Sequence, residues 1–283
     1  LHPGKMLLVN TVQGKVLNDE EVKEYYAKKQ PYGEWLDSYL VQLKDIKIPN
    51  LPVEEYTKEE RMRLQKAFGY TYEEYRSSIG KMALNGVEAT ASMGIDTPLA
   101  VLSHEHQPLF NYFKQLFAQV TNPPIDCIRE EIVTSTSVYV GRDGNLLEEE
   151  PKNCQVLKIN NPILTNTDML KIKNMKVEGF KAVTVPITYY KSAPLDRAMD
   201  RLFVEVDRAH RAGANILILS DRGVDENHVA IPSLLAVSAV HQHLVKTKKR
   251  TSLAIILESG EPREVHHFAT LLGYGACAIN PYL

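Results

Sequence analysis

The chain has 283 residues, of which 44% are hydrophobic and 24% are charged, as is usual for a globular protein. Its formal net charge of -2, with both signs mixed along the chain, gives no reason to expect nucleic acid or an anionic membrane as a partner. The three cysteines, Cys127, Cys154 and Cys277, lie far apart, so they form neither a disulfide framework nor a CxxC motif. We expect reduced thiols in a cytoplasmic protein, and no apolar run reaches a membrane-spanning length.

Residues 1–50 predict a small strand pair and two helices. Residues 5–9 and 15–17 flank a turn, and Asn18 with Glu21 forms a capping box that starts a helix. A second helix follows "QPYGEW", and "KIPNLPVEEY" predicts a linker because it holds two prolines and no periodicity. The first residue is not methionine and the last residues directly follow a strand-like run, so we expect both ends to continue into a longer polypeptide.

Residues 57–154 predict a mainly helical region. Thr57 with Glu60 and Thr71 with Glu74 form two further capping boxes. From Leu109 the apolar residues recur at intervals of three and four, which is the pattern of one helix face.

The stretch "FAQVTNPPIDCIREEI" (117–132) interrupts this helical pattern with a polar joint. Two adjacent prolines fix their own φ angles and remove two backbone donors, so the joint is stiff. A second polar island, "TASMGIDTPLAVLS" (90–103), contains Met93 next to Gly94, a pair that suggests a tight turn. On its own, Met93 is better explained as a core methionine.

Residues 155–283 predict alternating strands and helices. Short β-branched runs of this kind suit strands that are buried on both faces of a parallel sheet, and amphipathic segments separate them. The fold class is therefore α/β, either a partial (β/α) barrel or a doubly wound sheet. The four runs are "FKAVTVPI" (180–187), "NILILSD" (215–221), "SLAIILES" (252–259) and "ACAINP" (276–281).

Polar residues follow two of these strands, where ligands bind in (β/α) folds. They could bind a polar ligand, or they could form ion pairs and helix caps, which we favour because no pair has a distinctive catalytic spacing. The histidine pairs at 241/243 and 266/267 lack metal-ligand spacing and predict surface or capping roles. The polar residues are Asp221, Arg222, Asp225, Glu258, Glu261 and Arg263.

Several motifs in order along the chain resemble one enzyme family. They include "KAFGYTYEEY", "SMGIDTPLAVLS", "YFKQLFAQVTNPPIDCIREE", "ILILSDRGVD" and "SGEPREVHHFATLLGYGACAINPYL". Together they resemble the central domain of the large (alpha) subunit of glutamate synthase. Residues 1–50 resemble the tail of that enzyme's glutamine amidotransferase domain with its connecting segment, and residues 51–283 resemble the central domain itself, a rudimentary, cofactor-free TIM-barrel-like fold.

The resemblance implies a part of an enzyme that makes glutamate from glutamine and 2-oxoglutarate. In that family an N-terminal cysteine releases ammonia, which travels to a site with FMN and a 3Fe-4S cluster. The first cysteine here is Cys127 and no cluster cysteines are present, so the resemblance implies no catalytic, cofactor or metal residues in this chain. It implies as partners the amidotransferase and FMN-binding domains of the same polypeptide and a small NAD(P)H-oxidising subunit.

The resemblance also assigns a role to the two polar islands. In the family, the methionine of the SMG motif and the Thr-Asn of the TNPP motif lie at the constricted entrance of the ammonia tunnel. They correspond to Met93, Thr121 and Asn122, while Ile95 stands where the family pattern has an acidic residue. A proline-fixed turn holds polar groups rigidly, and an unbranched methionine can shift to open or close a gap.

Two other classes of function remain as alternatives. One is a free-standing small (β/α) enzyme with its polar site at residues 220–225 and 258–264, and the other is a plain interaction module. An open reading frame that extends beyond both ends of the chain would favour the central-domain hypothesis over these two, because only that hypothesis requires long flanking domains.

Overall fold

The computed structural model describes residues 2–90, 100–104, 107–113, 125–145 and 147–283. The N-terminal region starts with an antiparallel hairpin of β1 (Leu8–Asn10) and β2 (Lys15–Leu17). Helix α1 (Asp19–Ala27) begins at the predicted capping box of Asn18 and Glu21, and α2 (Tyr32–Tyr39) follows it.

Helices then predominate in the described residues up to 133. Helix α3 (Lys58–Ala67) and helix α4 (Tyr72–Glu74) both begin at the predicted capping boxes. A π-helical turn (Tyr75–Ile79) joins α4 to α5 (Gly80–Asn85). Of the helix predicted from Leu109, the described part is a 3-10 turn (Leu109–Tyr112) that ends at Phe113, whose backbone is extended, and the rest of the prediction lies outside the described residues. Helix α6 (Cys127–Val133) is the next described element.

A small mixed sheet was not predicted from the sequence. Its strands are β3 (Val41–Gln42), β4 (Val138–Gly141) and β5 (Val156–Ile159), in the order β3-β5-β4. Each is four residues or shorter, so none is long enough to show a clear period of two. β4 lies inside the region that the sequence pattern predicted as mainly helical.

The C-terminal half alternates strands and helices as predicted. All four predicted strands are present within one or two residues of the expected bounds, because their β-branched runs are long and continuous. The prediction that all four are buried was wrong for the first one (182–186), which is only partly buried because it lies at an edge of the sheet. In chain order the elements are α7 (Asn166–Lys173), β6 (Ala182–Pro186), β7 (Thr188–Tyr190), α8 (Leu195–Arg211), β8 (Ile216–Ser220), β9 (His228–Ala230), α9 (Ser233–Lys246), β10 (Ala254–Ser259), α10 (Val265–Gly273) and β11 (Ala278–Pro281).

A four-stranded parallel sheet of β6, β8, β10 and β11 forms the centre of this half. Neighbouring strands follow one another in the chain, so all crossovers run in one direction across the sheet. The fold is therefore mixed α/β with a parallel sheet, and no closed barrel forms among the described residues. No described helix has the length and apolarity needed to cross a bilayer.

Both faces of the two inner strands, β8 and β10, are covered, which explains why all their residues are buried. On one face, Leu217, Leu219 and Ile255 belong to a core shared with α8, α9 and α10. On the other face, Ile216 and Ile218 pack with α7 and the small β3-β5-β4 sheet. Buried polar residues lie at the carboxyl ends of β8, β10 and β11 or directly after them.

Candidate functional site

Polar side chains line the carboxyl ends of the parallel strands. The strand register places Ser220, Glu258 and Asn280 side by side at the ends of β8, β10 and β11. Residues that are paired in register point to the same face, and all three are at most 5% exposed. Because ligand-binding groups of parallel α/β folds gather at this edge, these residues define the candidate site.

Glu258 is the charged centre of this row. Lys173 Nζ donates to its two carboxylate oxygens at 2.7 and 2.8 Å, Arg222 Nε donates at 2.8 Å and Ser220 Oγ at 2.7 Å. Burial opposes ionisation of Glu258, but the hydrogen bonds from Lys173, Ser220 and Arg222 outweigh it and hold the pKa of the carboxyl below its ordinary value. Glu258 is therefore a buried, fully compensated anion.

The Arg222 guanidinium connects this row to the linker before α3. Its Nη1 donates to the Tyr56 hydroxyl at 2.8 Å and lies 3.2 Å from a Glu54 carboxylate oxygen. The guanidinium also lies 4.0 Å from the ring centroid of Tyr282, at the end of the chain. Arg222 thus holds the linker and the C-terminal residues on the sheet. The charge of its guanidinium is therefore engaged by groups of the protein itself.

Asp221 forms a second buried cluster beside the first. It accepts hydrogen bonds from Ser259 Oγ at 2.5 Å, Tyr282 Oη at 2.7 Å and the Gly260 amide at 3.1 Å. Burial raises the pKa of Asp221 to about 7, against the hydrogen bonds, which lower it. Burial raises the pKa of Tyr282, and the nearby Asp221 raises it further.

Glu261 caps a helix rather than facing an open site. It accepts from both the backbone amide of Ser233, at 2.8 Å, and the Ser233 hydroxyl, at 2.5 Å. Ser233 is the first residue of α9, so the Glu261 carboxylate satisfies an otherwise unpaired amide at the positive end of the helix dipole.

Arg263 attaches the helical segment to the sheet. Its guanidinium donates to the carbonyl oxygens of Phe68 and Gly69, each at 3.1 Å, and lies 3.0 Å from a Glu74 carboxylate oxygen. It also lies 4.3 Å from the ring centroid of Tyr70. These contacts join the end of α3 and the start of α4 to the loop after β10.

Asp225 stabilises its own loop. It accepts from the backbone amides of Asn227 and His228, at 2.7 and 2.8 Å, and pairs with the His228 ring. These hydrogen bonds keep the pKa of Asp225 below its ordinary value. An open crevice of about 450 Å³ lies between this loop and α3, and its charged rim residues Arg63 and Glu226 are exposed.

The histidine prediction was partly wrong, because His267 is buried. Its ring stacks on Phe110 with centroids 4.3 Å apart, and its Nδ1 accepts the Arg263 amide at 3.2 Å. Burial and the nearby Arg263 and His266 lower the pKa of His267 to about 3, so the ring is neutral. His266 Nε2 lies 3.0 Å from the Phe110 carbonyl oxygen. Both histidines thereby anchor the 3-10 turn to α10.

The described residues contain no cluster of three or more His, Cys, Asp or Glu side chains that could hold a metal ion. Cys127, Cys154 and Cys277 are free thiols in separate parts of the chain. The six predicted polar residues at 220–225 and 258–264 all have internal partners, as a structural network requires. Asn280, at the end of β11, is different: its buried Oδ1 has no hydrogen-bond partner in the described part of the chain.

The residues assigned to the tunnel, Met93, Thr121 and Asn122, lie outside the described residues, as does Ile95. The segments that flank Thr121 and Asn122 are described. Before them, Phe110 is fully buried in the core. After them, Asp126 caps α6 by accepting from the amides of Ile128 and Arg129 at 3.1 and 2.9 Å.

Sequence reasoning missed several residues of the site. Lys173 lies 85 positions from Glu258 and Tyr56 lies 166 positions from Arg222, and no local pattern links residues so far apart. Tyr282 could have been suspected, because a tyrosine directly after a buried strand must place its hydroxyl near a polar group.

Comparison with known families identifies the class of this chain. Residues 63–283 match the model "Glutamate synthase central domain", and residues 1–35 match "Glutamine amidotransferases class-II". The chain therefore belongs to the glutamate synthase central domain family, preceded by the end of an amidotransferase domain.

Its relatives are glutamate synthases with different electron donors in their names. The chain is 46% identical over its whole length to "Glutamate synthase [NADPH] large chain" of Bacillus subtilis, covering 18% of that protein. It is 40% identical to "Glutamate synthase [NADH]" of Schizosaccharomyces pombe, covering 14%, and 38% identical to "Ferredoxin-dependent glutamate synthase 2" of Synechocystis, covering 18%. Both matches span the whole of this chain, which is less than a fifth of the length of each relative.

Proposed function

We propose that this chain is the non-catalytic central domain of a glutamate synthase, which connects the glutaminase domain to the FMN and iron-sulfur domain. The parent enzyme makes glutamate from glutamine and 2-oxoglutarate in the cytoplasm. The observation that carries the proposal is the 46% identity along the whole chain to a glutamate synthase large chain of which it covers only 18%. The internal use of the polar residues at 220–225 and 258–264 supports a structural rather than a catalytic role for this edge.

The domain boundary in this proposal falls near residue 50. Residues 1–50 form the end of the amidotransferase domain with its connection, and residues 51–283 form the central domain. The exposed apolar residues of the hairpin support a covering partner here: Val9, Val12 and Val16 are 60%, 96% and 64% exposed. The rest of the amidotransferase domain of the same polypeptide is the proposed partner, and a small NAD(P)H-oxidising subunit is a further one.

The central domain in this proposal is a rudimentary (β/α) barrel. The order β6-β8-β10-β11 follows the chain without reversal, whereas a doubly wound sheet reverses its order once. Because crossovers are right-handed, a sheet wound in one direction has all its crossover helices on one face. The core shared by α8, α9 and α10 on one side of the sheet supports this interpretation.

FMN and the 3Fe-4S cluster belong to other parts of the parent polypeptide in this proposal. The family match supports this assignment, because residues 63–283 match the central domain of the family. Met93, Thr121 and Asn122 line the entrance of the ammonia passage. A wall for neutral ammonia needs few hydrogen-bonding groups in fixed positions, and the Thr-Asn-Pro-Pro joint offers them.

The isolated chain tests the non-catalytic part of the proposal. Purified residues 1–283 should release no ammonia from glutamine and should carry no flavin, as measured by an ammonia assay and by absorbance near 450 nm. Stoichiometric bound flavin, or glutaminase activity that increases with the amount of chain, would contradict the proposal.

A further inference from the structure

Three neighbouring strands meet at the carboxyl group of Asp221. The residue follows β8, its partners Ser259 and Gly260 come from the end of β10, and Tyr282 follows β11. The side chain is almost completely enclosed, with Asp221 1% exposed and Tyr282 7% exposed. This one carboxyl group therefore fixes the last residues of the chain to the two central strands.

The cluster differs from its neighbour in lacking a positive partner. Glu258 is paired with Lys173 and Arg222, whereas no lysine, arginine or histidine of the described chain forms a salt bridge with Asp221. All three donors to Asp221 are neutral hydroxyl or amide groups. A buried carboxylate without a cation is costly, and a buried carboxyl group avoids that cost by holding its proton.

The other titratable groups around the cluster do not supply the missing charge. Glu261 adds a negative charge that further disfavours ionisation of Asp221. Arg222 donates to Glu258 and Tyr56 and lies over the Tyr282 ring, and Arg263 is bound to Glu74 and lies over the Tyr70 ring. The titratable groups on the elements that surround Asp221 are Glu258, Glu261, Arg222, Arg263, Tyr56, Tyr70 and Tyr282.

We propose that the Asp221 cluster is a pH-responsive latch, which holds residues 281–283 against β8 and β10 while the carboxyl is neutral and loosens them when it is ionised. The neutral form fits the hydrogen bonds, because Ser259 Oγ can accept from a protonated carboxyl as it accepts from the Glu261 amide at 3.1 Å. The latch does not depend on the proposed function.

The direction of the response follows from linkage. Burial raises the pKa of Asp221 from 3.8 to about 7 in the closed form, whereas opening returns the carboxyl to water. Between these values the closed form holds a proton that the open form releases, so rising pH favours opening. The opening equilibrium constant should rise about tenfold per pH unit and level off above about pH 7.

Hydrogen exchange of the isolated chain tests the latch. Protection factors, which correct for intrinsic exchange rates, are measured at pH 5 to 8 for a peptide that covers β11 and residues 281–283. We expect wild-type protection to fall about tenfold per unit between pH 5 and 7 and then to level off. Asp221→Asn should keep protection constant within about threefold, since the amide is neutral throughout. The matched control Asp225→Asn, in an exposed loop, should retain the wild-type slope.

A pH-independent wild type, or an unchanged slope in Asp221→Asn, would overturn the latch. If Asp221→Asn fails to fold, ¹³C NMR of aspartate-labelled wild-type chain gives the answer directly. One carboxyl carbon should titrate with a midpoint near 7, and Tyr282→Phe should raise that midpoint because it removes a donor that favours the ionised form. Aspartate midpoints that all lie below 5 would exclude the latch.

Discussion

At the scale of single residues, Glu258 shows how the edge of the sheet is held together. Its two oxygens receive bonds from Lys173 in α7, Arg222 in the loop after β8 and Ser220 in β8 itself. Arg222 then reaches Tyr56 before α3. One buried carboxylate therefore connects α7 to the linker before α3. The contacts are short, and together they compensate the negative charge of Glu258.

Glu258→Gln should destabilise the chain by about 3 kcal/mol, because it leaves two cations with a neutral partner in a buried site. Urea denaturation measures the free energy of unfolding. Glu205→Gln is the matched control, since Glu205 pairs with Arg208 on the exposed side of α8, where an ion pair contributes less than about 1 kcal/mol. Equal losses in the two variants would show that the Glu258 network does not stabilise the fold.

At the scale of elements, the docking of α3 and α4 depends on contacts between distant parts of the chain. Arg263 reaches Phe68 and Gly69, and the Tyr70 hydroxyl donates to the Gly260 carbonyl at 2.9 Å. The Arg263 guanidinium thus holds residues 68–70 through two main-chain carbonyl groups and the Tyr70 ring. A planar guanidinium suits this combination of hydrogen bonding and stacking.

Arg263→Lys should loosen this docking while leaving the parallel sheet intact. A lysine cannot reach both carbonyl oxygens and Glu74 while it lies over the Tyr70 ring, so we expect a loss of about 2 kcal/mol. Hydrogen exchange should increase in residues 58–85 but not in β8 or β10. Arg208→Lys, in an exposed pair, serves as the control, and uniform exchange increases across the chain would contradict a local role.

The sequence predicted those elements whose pattern is local and strong. The parallel strands follow from continuous apolar runs, and three helix starts follow from Asn18, Thr57 and Thr71, whose capping boxes are all formed. The short strands β3 to β5 have too few residues for a period to be visible. The site could be predicted only in part. Asp221 directly follows β8 and Glu258 lies at the end of β10, but their partners Tyr282 and Lys173 are brought to them by tertiary packing.

At the scale of the whole molecule, the chain combines a well-buried α/β half with exposed apolar surface elsewhere. Ile128 and Ile132 on α6 are 78% and 77% exposed, and the hairpin valines are similarly exposed. Exposed apolar surface of this extent is typical of contact regions. The exposed hairpin agrees with the proposal that the rest of the amidotransferase domain covers it in the parent enzyme.

The coupling ratio of the full-length parent enzyme tests the central proposal most directly. Thr121→Trp should narrow the proposed ammonia passage, so glutamine would still be hydrolysed while glutamate formation from 2-oxoglutarate fell, and added ammonia should restore part of the synthesis. Thr247→Trp, at an exposed position after α9, should keep the one-to-one ratio of glutamine hydrolysed to 2-oxoglutarate consumed. A Thr121→Trp enzyme that also kept this ratio would contradict the assignment of the Thr-Asn-Pro-Pro joint to the passage.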